Sequence, residues 1–506
     1  MIRRLPHTNL PKLLWRLWGD TYIVQSIVTL GIPLIVGQLG NIAQQFADTI
    51  MVGQYGTAEL AAAGLVGSIF NFVIYFTLGI SYATTPVIGA CCGRKDYLGV
   101  ARGLVDSLIV NLLSGFAVVA LLLLLYANIG ILHQPAEILP LALPYFLVLT
   151  ASVPFMCVFN ALKQFSDATR ETKIPMWIML FSNVLNVLLN WLLIFGLSLP
   201  LFGHCLSIPA MGLLGAGIAT LLSRIAAMVL LFAIILTAKR YQPYIRTCMA
   251  EGIEGKERIE GIERIEGIER KEGSERCERR VSLPFALRPS MASARGMLHL
   301  LLLGLPISIQ LGLEASSFNV SAIFMGWLGA IPLAAHQVMC TISTLCFQVV
   351  YGIGAAASVL ISQFRGVGDW HNVRRTARAA FGVAISTIAV FITLITIFRY
   401  PLVGIFTTSE EVTAVVMSIL PCFIIYQVGD CMQIVYANAL RGIEQVRRMM
   451  LYAFIAYILV SLPCSYLFGF ICHWGSVGVW MGMPFGLTTA GVLFYTEFRR
   501  KLRRTA

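Results

Sequence analysis

GIPLIVGQLGNIAQQFADTIMVGQYG, residues 31–56, decides the fold. From Ile23 to Phe46 no side chain is charged, and then comes Asp48. An apolar run of that length crosses a bilayer, which takes about 20 residues. A carboxylate in such a helix costs about 2.5–3.5 kcal/mol at the bilayer centre. Asp48 is therefore expected to face a cavity or another helix, not lipid.

The rest of the chain agrees with a membrane reading. Its 506 residues are 58% hydrophobic and 12% charged, with mean hydropathy +0.79. Soluble domains carry about 25% charged residues. Twelve apolar runs are long enough to span: 23–47, 58–84, 103–127, 139–162, 175–198, 209–238, 297–325, 333–361, 377–399, 412–440, 448–472 and 475–497. Residues 1–20 hold charges and two tryptophans, Trp15 and Trp18, which suits a short interfacial helix and not a cleaved signal peptide. The net charge of +12 follows the positive-inside rule and gives no reason to expect nucleic acid. Lys and Arg sit at the N-terminus, around Arg94 to Arg102, at Lys163 to Lys173, across 239–295, at Arg365 to Arg378, at Arg441 to Arg448 and from Arg499 onward. The alternate loops have none, apart from Arg399 at one boundary. Both termini are thus expected on the cytoplasmic side. The twelve cysteines are scattered, mostly in apolar runs and without a CxxC, as small core residues would be.

A repeat organises the spans. LGIP ending at Pro33 returns as LGLP ending at Pro306, a shift of 273. The same shift carries Gly53 onto Gly326, Leu60-Ala61-Ala62 onto Leu333-Ala334-Ala335, Gly79-Ile80 onto Gly352-Ile353, and Asp96 onto Asp369. Further on, Asn160-Ala161-Leu162-Lys163 echoes Asn438-Ala439-Leu440-Arg441 at a shift of 278. Six crossings per half bring both halves in from the same side, so a pseudo-two-fold along the membrane normal is expected, as in transporters built from parallel repeats. The divisions are an N-terminal segment 1–20, an N-lobe 21–240, a linker 241–296, a C-lobe 297–498 and a basic tail 499–506. Within the linker, EGIEGKERIEGIERIEGIERKEGSERCERR (251–280) repeats a unit near IEGIER. Its frequent glycines and few apolar residues suit a spacer.

Few ionisable groups remain inside the spans. Asp48 ends the first, Glu314 lies within the seventh and Asp430 within the tenth. None has a basic partner at helical spacing, so each is expected to take up a proton or bind a cation. Tyr426 is four residues before Asp430, on one helical face, where its phenol oxygen is a further ligand for Na⁺. Asn186 and Asn190 are also four apart in the fifth span. They can line a cavity or bond neighbouring helices, and a packed role suits His336. Arg224 can pair with a carboxylate.

These stretches resemble the multidrug and toxic compound extrusion (MATE) family. GIPLIVGQLGNIAQQFADTIMVGQYGTAELAAAGL is similar to its first helix. LPISIQLGLEASSF followed by PLAAHQV is similar to its seventh helix and the loop after it. YQVGDCMQIVYANALRG is similar to its tenth, and LNVLLNW and MGLLGAGIATLLSR to its fifth and sixth. The resemblance covers nearly the whole chain outside 249–296 and points to the NorM-like branch. It implies an all-α, twelve-helix transporter of two six-helix lobes around a V-shaped cavity. It also implies a C-lobe Na⁺ or proton site at Glu314, Asp430 and Tyr426, and an N-lobe coupling site at Asp48 with Asn186 and Asn190. At the 273 shift Asp48 meets Ser321 and Glu314 meets Asn41, so the lobes share a frame but not their ionisable groups.

The expected function is cation-coupled efflux of amphipathic, often cationic, organic compounds from a bacterial inner membrane. The chain is expected to be a monomer with no cofactor beyond the coupling ion. A lipid-linked glycan flippase of the same superfold would favour a cationic cavity, whereas here the intramembrane charges are mainly acidic. A membrane enzyme lacks its HExxH or GxSxG. A receptor would use the linker as output, but low complexity offers no folded surface.

Overall fold

The computed structural model describes residues 20–128, 138–201, 204–245 and 292–505. The interfacial helix expected around Trp15 and Trp18 and the 251–280 repeat lie outside those residues. Twelve helices among the described residues are long and apolar enough to span a membrane. They are α1 (Thr21–Tyr55), α2 (Thr57–Arg94, interrupted at Ala83), α3 (Tyr97–Ala127), α4 (Leu139–Ala168), α5 (Lys173–Phe195) and α6 (Gly212–Thr237). The second half has α7 (Ala294–Leu328), α8 (Ala330–Gly366), α9 (Trp370–Ile397), α10 (Glu410–Gly442), α11 (Val446–Ile471) and α12 (Gly475–Thr505). The helices outrun the apolar runs that mark them, because their polar last turns continue into the loops. The expected tail at 499–506 is one case: through Thr505 it continues α12. The loop expected at 199–208 holds a short antiparallel ribbon, β1 (Leu197–Leu201) with β2 (His204–Ile208), Leu199 opposite Leu206.

The 273 shift is obeyed by the helix ends. It takes both ends of α1, Thr21 and Tyr55, onto Ala294 and Leu328 of α7, and the starts of α2 and α3 onto those of α8 and α9. The physical markers repeat with them. Asp96 caps α3 by accepting the Gly99 N–H at 2.8 Å, and Asp369 caps α9 by accepting the Asn372 N–H at 3.0 Å. The residue before each cap is left-handed, Lys95 at φ 59° and Gly368 at φ 77°. In the later helices the cap geometry departs from the echo in sequence. Glu171 N–H bonds Ser166 O and Gln445 N–H bonds Leu440 O, around left-handed Arg170 and Glu444. That register is 274, so the likeness of 160–163 to 438–441 at 278 is one of composition, not of position.

Among the described residues, the hydrogen bonds between the lobes gather toward one end. α1 packs on α8, and α2 on α7 and α8. The first half of α1 (Ile23, Val24, Ile27, Leu30, Leu34) belongs to the same buried cluster as the C-lobe core. Cross-lobe hydrogen bonds run from Ser308 Oγ to Phe76 O (2.7 Å), Gln363 Nε2 to Ala168 O (2.9 Å), Arg365 Nη2 to Pro86 O (3.2 Å) and Ser293 N to Asp106 Oδ1 (2.8 Å). Arg375 pairs with Asp20 at 3.3 Å. All of these lie toward the end that carries the basic loops. Toward the other end Gly64, Gly67 and Gly312 face open space, while Phe46, Ile50 and Trp327 are exposed. The molecule is a V, closed at the basic end.

Gly93 and Gly366 make the closure possible. They are equivalents under the repeat, and each lies against the backbone of the other half. A methyl at Gly93 would overlap the Gln363 carbonyl, 2.9 Å from its carbon. One at Gly366 would overlap the Ala90 carbonyl, 2.8 Å from its carbon. Gln363 and Ala90 are themselves equivalents. Such reciprocal backbone approach is what two-fold packing of small-residue faces produces.

Candidate functional site

Two polar clusters are buried in the spans, one per lobe. In the N-lobe, Asp48 on α1 is half-buried. Asn190 Nδ2 of α5 donates to its Oδ1 at 2.5 Å and also to Asn186 Oδ1 at 3.3 Å. Asn186 Nδ2 in turn reaches Ser223 Oγ (3.3 Å) and Thr220 Oγ1 (3.5 Å) on α6. One turn up, Asn183 Nδ2 donates to Asn41 Oδ1 at 3.3 Å. The i, i+4 spacing of 186 and 190 sets both amides on one face of α5, which α1 and α6 flank. Arg224 does not form an ion pair with Asp48. It donates to Ser152 Oγ at 2.7 Å, although its charge is near enough to act on Asp48 and Tyr145. Asp48 is therefore held by an amide of α5, in the half of α1 that lies away from the basic end.

The C-lobe cluster is deeper. Glu314 on α7 is buried, and its Oε2 accepts from Gln310 Nε2 (2.8 Å) and Gln433 Nε2 (3.1 Å). Arg441 Nη2 donates to Gln310 Oε1 at 2.7 Å. Asp430, one turn before Gln433 on α10, is 1% exposed, and both its oxygens lack any partner. Tyr426 accepts a hydrogen bond from Ser343 Oγ at 2.9 Å and packs on Phe423, Phe318 and Trp480. Tyr457 of α11 completes the set, close enough to interact with Glu314, Asp430 and Tyr426, and its hydroxyl is also unpartnered. It sits in a π-helical turn, Ile455–Ser461; such turns occur mostly as local bulges, often at functional sites.

Buried polar atoms almost always find partners. Here Asp430 Oδ1 and Oδ2, Gln433 Oε1 and Tyr457 OH are orphaned together. Two carboxylates among neutral oxygens form a set for a small hard cation or a proton. No group of three or more His, Cys, Asp and Glu able to hold a metal ion occurs among the described residues.

The sequence-derived residues fall into place unevenly. Glu314, Asp430 and Tyr426 come together, as do Asp48, Asn186 and Asn190, with Asn41 about two turns before Asp48 on α1 and bonded to Asn183. His336 stays outside the carboxylate cluster: it is buried, 3.4 Å from Cys340 Sγ and edge-on to Trp480. Arg441 is a correction. Counted among loop residues by its sequence, it is 4% exposed inside the last turn of α10. It is bonded to Gln310 and lies over the Tyr82 ring of the N-lobe, 5.5 Å from its centroid. Gln310, Gln433, Tyr457, Thr220 and Ser223 were missed. Gln310 and Gln433 carry a usable signal, being four residues before Glu314 and three after Asp430. Tyr457 carries none, since an aromatic in an apolar run reads as core.

Twelve spans in two like halves, a V-shaped space between them and a polar cluster holding an ionisable group in each are the architecture of a membrane transporter. The family model MatE matches residues 33–192 and 306–467, both halves of the repeat, and the chain belongs to that family. It is 28% identical to a probable multidrug resistance protein NorM of Rhizobium meliloti over 483 residues, covering 94% of this chain and 93% of that one. It is 27% identical to a multidrug resistance protein NorM of Vibrio vulnificus over 474 residues, covering 92% and 93%. Among solved structures, a MATE in complex with MaL6 superposes with TM-score 0.77 at 20% identity, covering 98% of this chain and 99% of that one. A structure described as an outward-facing multidrug resistance MATE family transporter gives TM-score 0.76 at 20% identity, covering 99% of each chain. The fold is thus the MATE fold.

Proposed function

We propose that this protein is a multidrug efflux antiporter of a bacterial inner membrane. Na⁺ binds in the C-lobe at Asp430, Glu314 and Tyr426, with Gln433 and Tyr457 as further oxygens. Amphipathic organic cations leave through the V, which faces outward when the basic loops are cytoplasmic. The observation that carries the reading is the orphaned Asp430 carboxylate beside other unpartnered oxygens, an arrangement that costs free energy unless a cation or proton is taken up. For a neutral substrate, one Na⁺ entering across 100 mV supplies about 2.3 kcal/mol, enough for roughly a 50-fold gradient; for a monovalent cation exchanged one for one the charges cancel, and the Na⁺ concentration gradient drives export.

The route from ion to gate runs through Arg441. When a cation draws on the Glu314 oxygens, Gln310 is free to turn, and its hold on Arg441 slackens. Arg441 then releases the Tyr82 ring across the seam, and the basic end opens. Asp48, near the open side and held by Asn190, serves the N-lobe by exchanging a proton or a cationic substrate. Glu314→Gln and Asp430→Asn are each expected to abolish ethidium efflux from cells while leaving expression intact. Normal efflux by both variants would sink the C-lobe site.

A further inference from the structure

At the basic end, α9, α10 and α12 border an open cavity of about 320 Å³. Arg374 and Arg378 enter it from α9, and Arg499 and Arg503 from α12. Each pair is spaced four apart, so each helix turns two guanidinium groups toward the same space. Its floor is aromatic. Tyr436 and Phe498 are buried there with ring centroids 5.9 Å apart, and Tyr495 is 5.0 Å from Tyr436. A second cavity of about 410 Å³ shares Tyr495, Arg499 and Arg503 and adds Arg500 and Arg504.

Like charges four apart on a helix repel, and these two pairs also face each other. Their neighbours are neutralised. Arg375 pairs with Asp20, Arg365 with Glu444, and Arg448 and Arg500 with Glu497. The four cavity arginines have neither an ion pair nor a hydrogen bond among the described residues. Arg378, Arg499 and Arg503 are exposed and Arg374 is half-buried, yet the four gather over buried rings instead of spreading apart. The volume is within the range of about 300–1,000 Å³ typical of ligand pockets. All four residues are arginine, whose planar fork matches phosphate oxygens two at a time.

We infer that this cavity binds a phosphate-bearing anion, the headgroup of an acidic phospholipid in the leaflet beside the basic loops. The guanidinium groups hold the phosphate, and the ring floor takes the glycerol and the start of the acyl chains. Basic pockets between spans at this depth are where such headgroups lodge. The site is independent of the ion and substrate sites, which lie deeper in the helices.

The test is thermal unfolding of the full chain, purified in detergent and stripped of lipid, against added cardiolipin, phosphatidylcholine or inorganic pyrophosphate. Cardiolipin is expected to raise Tm and phosphatidylcholine is not. In R374Q/R378Q and in R499Q/R503Q the half-saturating cardiolipin concentration should rise about thirtyfold, at roughly 1 kcal/mol per arginine. R375Q, whose arginine has its own carboxylate, should match the wild type. Protection by pyrophosphate equal to that by cardiolipin would support the phosphate site and assign it to a soluble anion. Equal protection by both lipids, or an unchanged cardiolipin dependence in the two pair variants, would overturn the site. R378K/R503K keeps charge and loses the fork, so an intermediate shift is expected even if a glutamine variant fails to fold.

Discussion

Replacing Gly93 by alanine tests the closed seam. The new methyl would lie 2.9 Å from the Gln363 carbonyl carbon and 3.1 Å from its Cα. These are backbone atoms of α8, so no rotamer change relieves the overlap. Overpacking of this kind costs about 1–3 kcal/mol. Alanine also improves helix propensity by about 1 kcal/mol over glycine, but that gain is common to the closed and opened seams and cancels between them. The population closed at the basic end should therefore fall about 5- to 160-fold relative to the opposite state. Spin labels at Tyr55 and Trp327, on the two arms of the V, would report it by double electron–electron resonance in lipid nanodiscs. The expected result is a shift of the distance distribution toward shorter values. Gly64→Ala, with nothing within 4 Å of the added carbon, should leave the distribution in place. A Gly93→Ala distribution identical to that of Gly64→Ala would refute the seam as the element that sets the conformation.

Three other outcomes follow from the same geometry. Tyr82→Leu removes the ring under Arg441, a contact of about 0.5–2 kcal/mol, and should shift the same distances by about two- to thirtyfold in population. If Arg441→Gln adds a full second increment on top of it, the two residues are not coupled and the relay fails. Asp48→Asn keeps the shape but removes the charge that Asn190 holds, so efflux of a cationic dye should fall while Na⁺ binding to the C-lobe persists. Loss of Na⁺ binding in that variant would join what are here two sites. Asp369→Ala deletes the α9 cap and should lower stability by about 1 kcal/mol in a thermal melt without altering transport specificity. An unchanged melt would mean the cap is redundant.

Most of the fold is legible in the sequence because a bilayer leaves few choices. Backbone polar groups must be satisfied within each span, so apolar length gives the helices. The repeat is readable because Pro33 and Pro306, and the glycines of the seam, are fixed by local geometry that both halves need. Helix ends are less legible, since α2 and α12 continue through polar turns that hydropathy alone cannot separate from loops. In the site, carboxylates inside spans announce themselves by their cost. Their neutral partners do not: Tyr457 looks like any core aromatic until the π-turn of α11 brings it to Asp430. Arg441 shows the opposite error. Its position at the end of an apolar run reads as a loop residue able to reach water, whereas the bond to Gln310 and the Tyr82 ring retain it in the interior.

The most direct test of the account is dye efflux from proteoliposomes under an imposed Na⁺ gradient, set beside an imposed pH gradient, for the wild type and Asp430→Asn. The account predicts ethidium movement driven by Na⁺ in the wild type and its loss in Asp430→Asn. Transport driven by the pH gradient alone, at equal rates in both proteins, would contradict a C-lobe Na⁺ site.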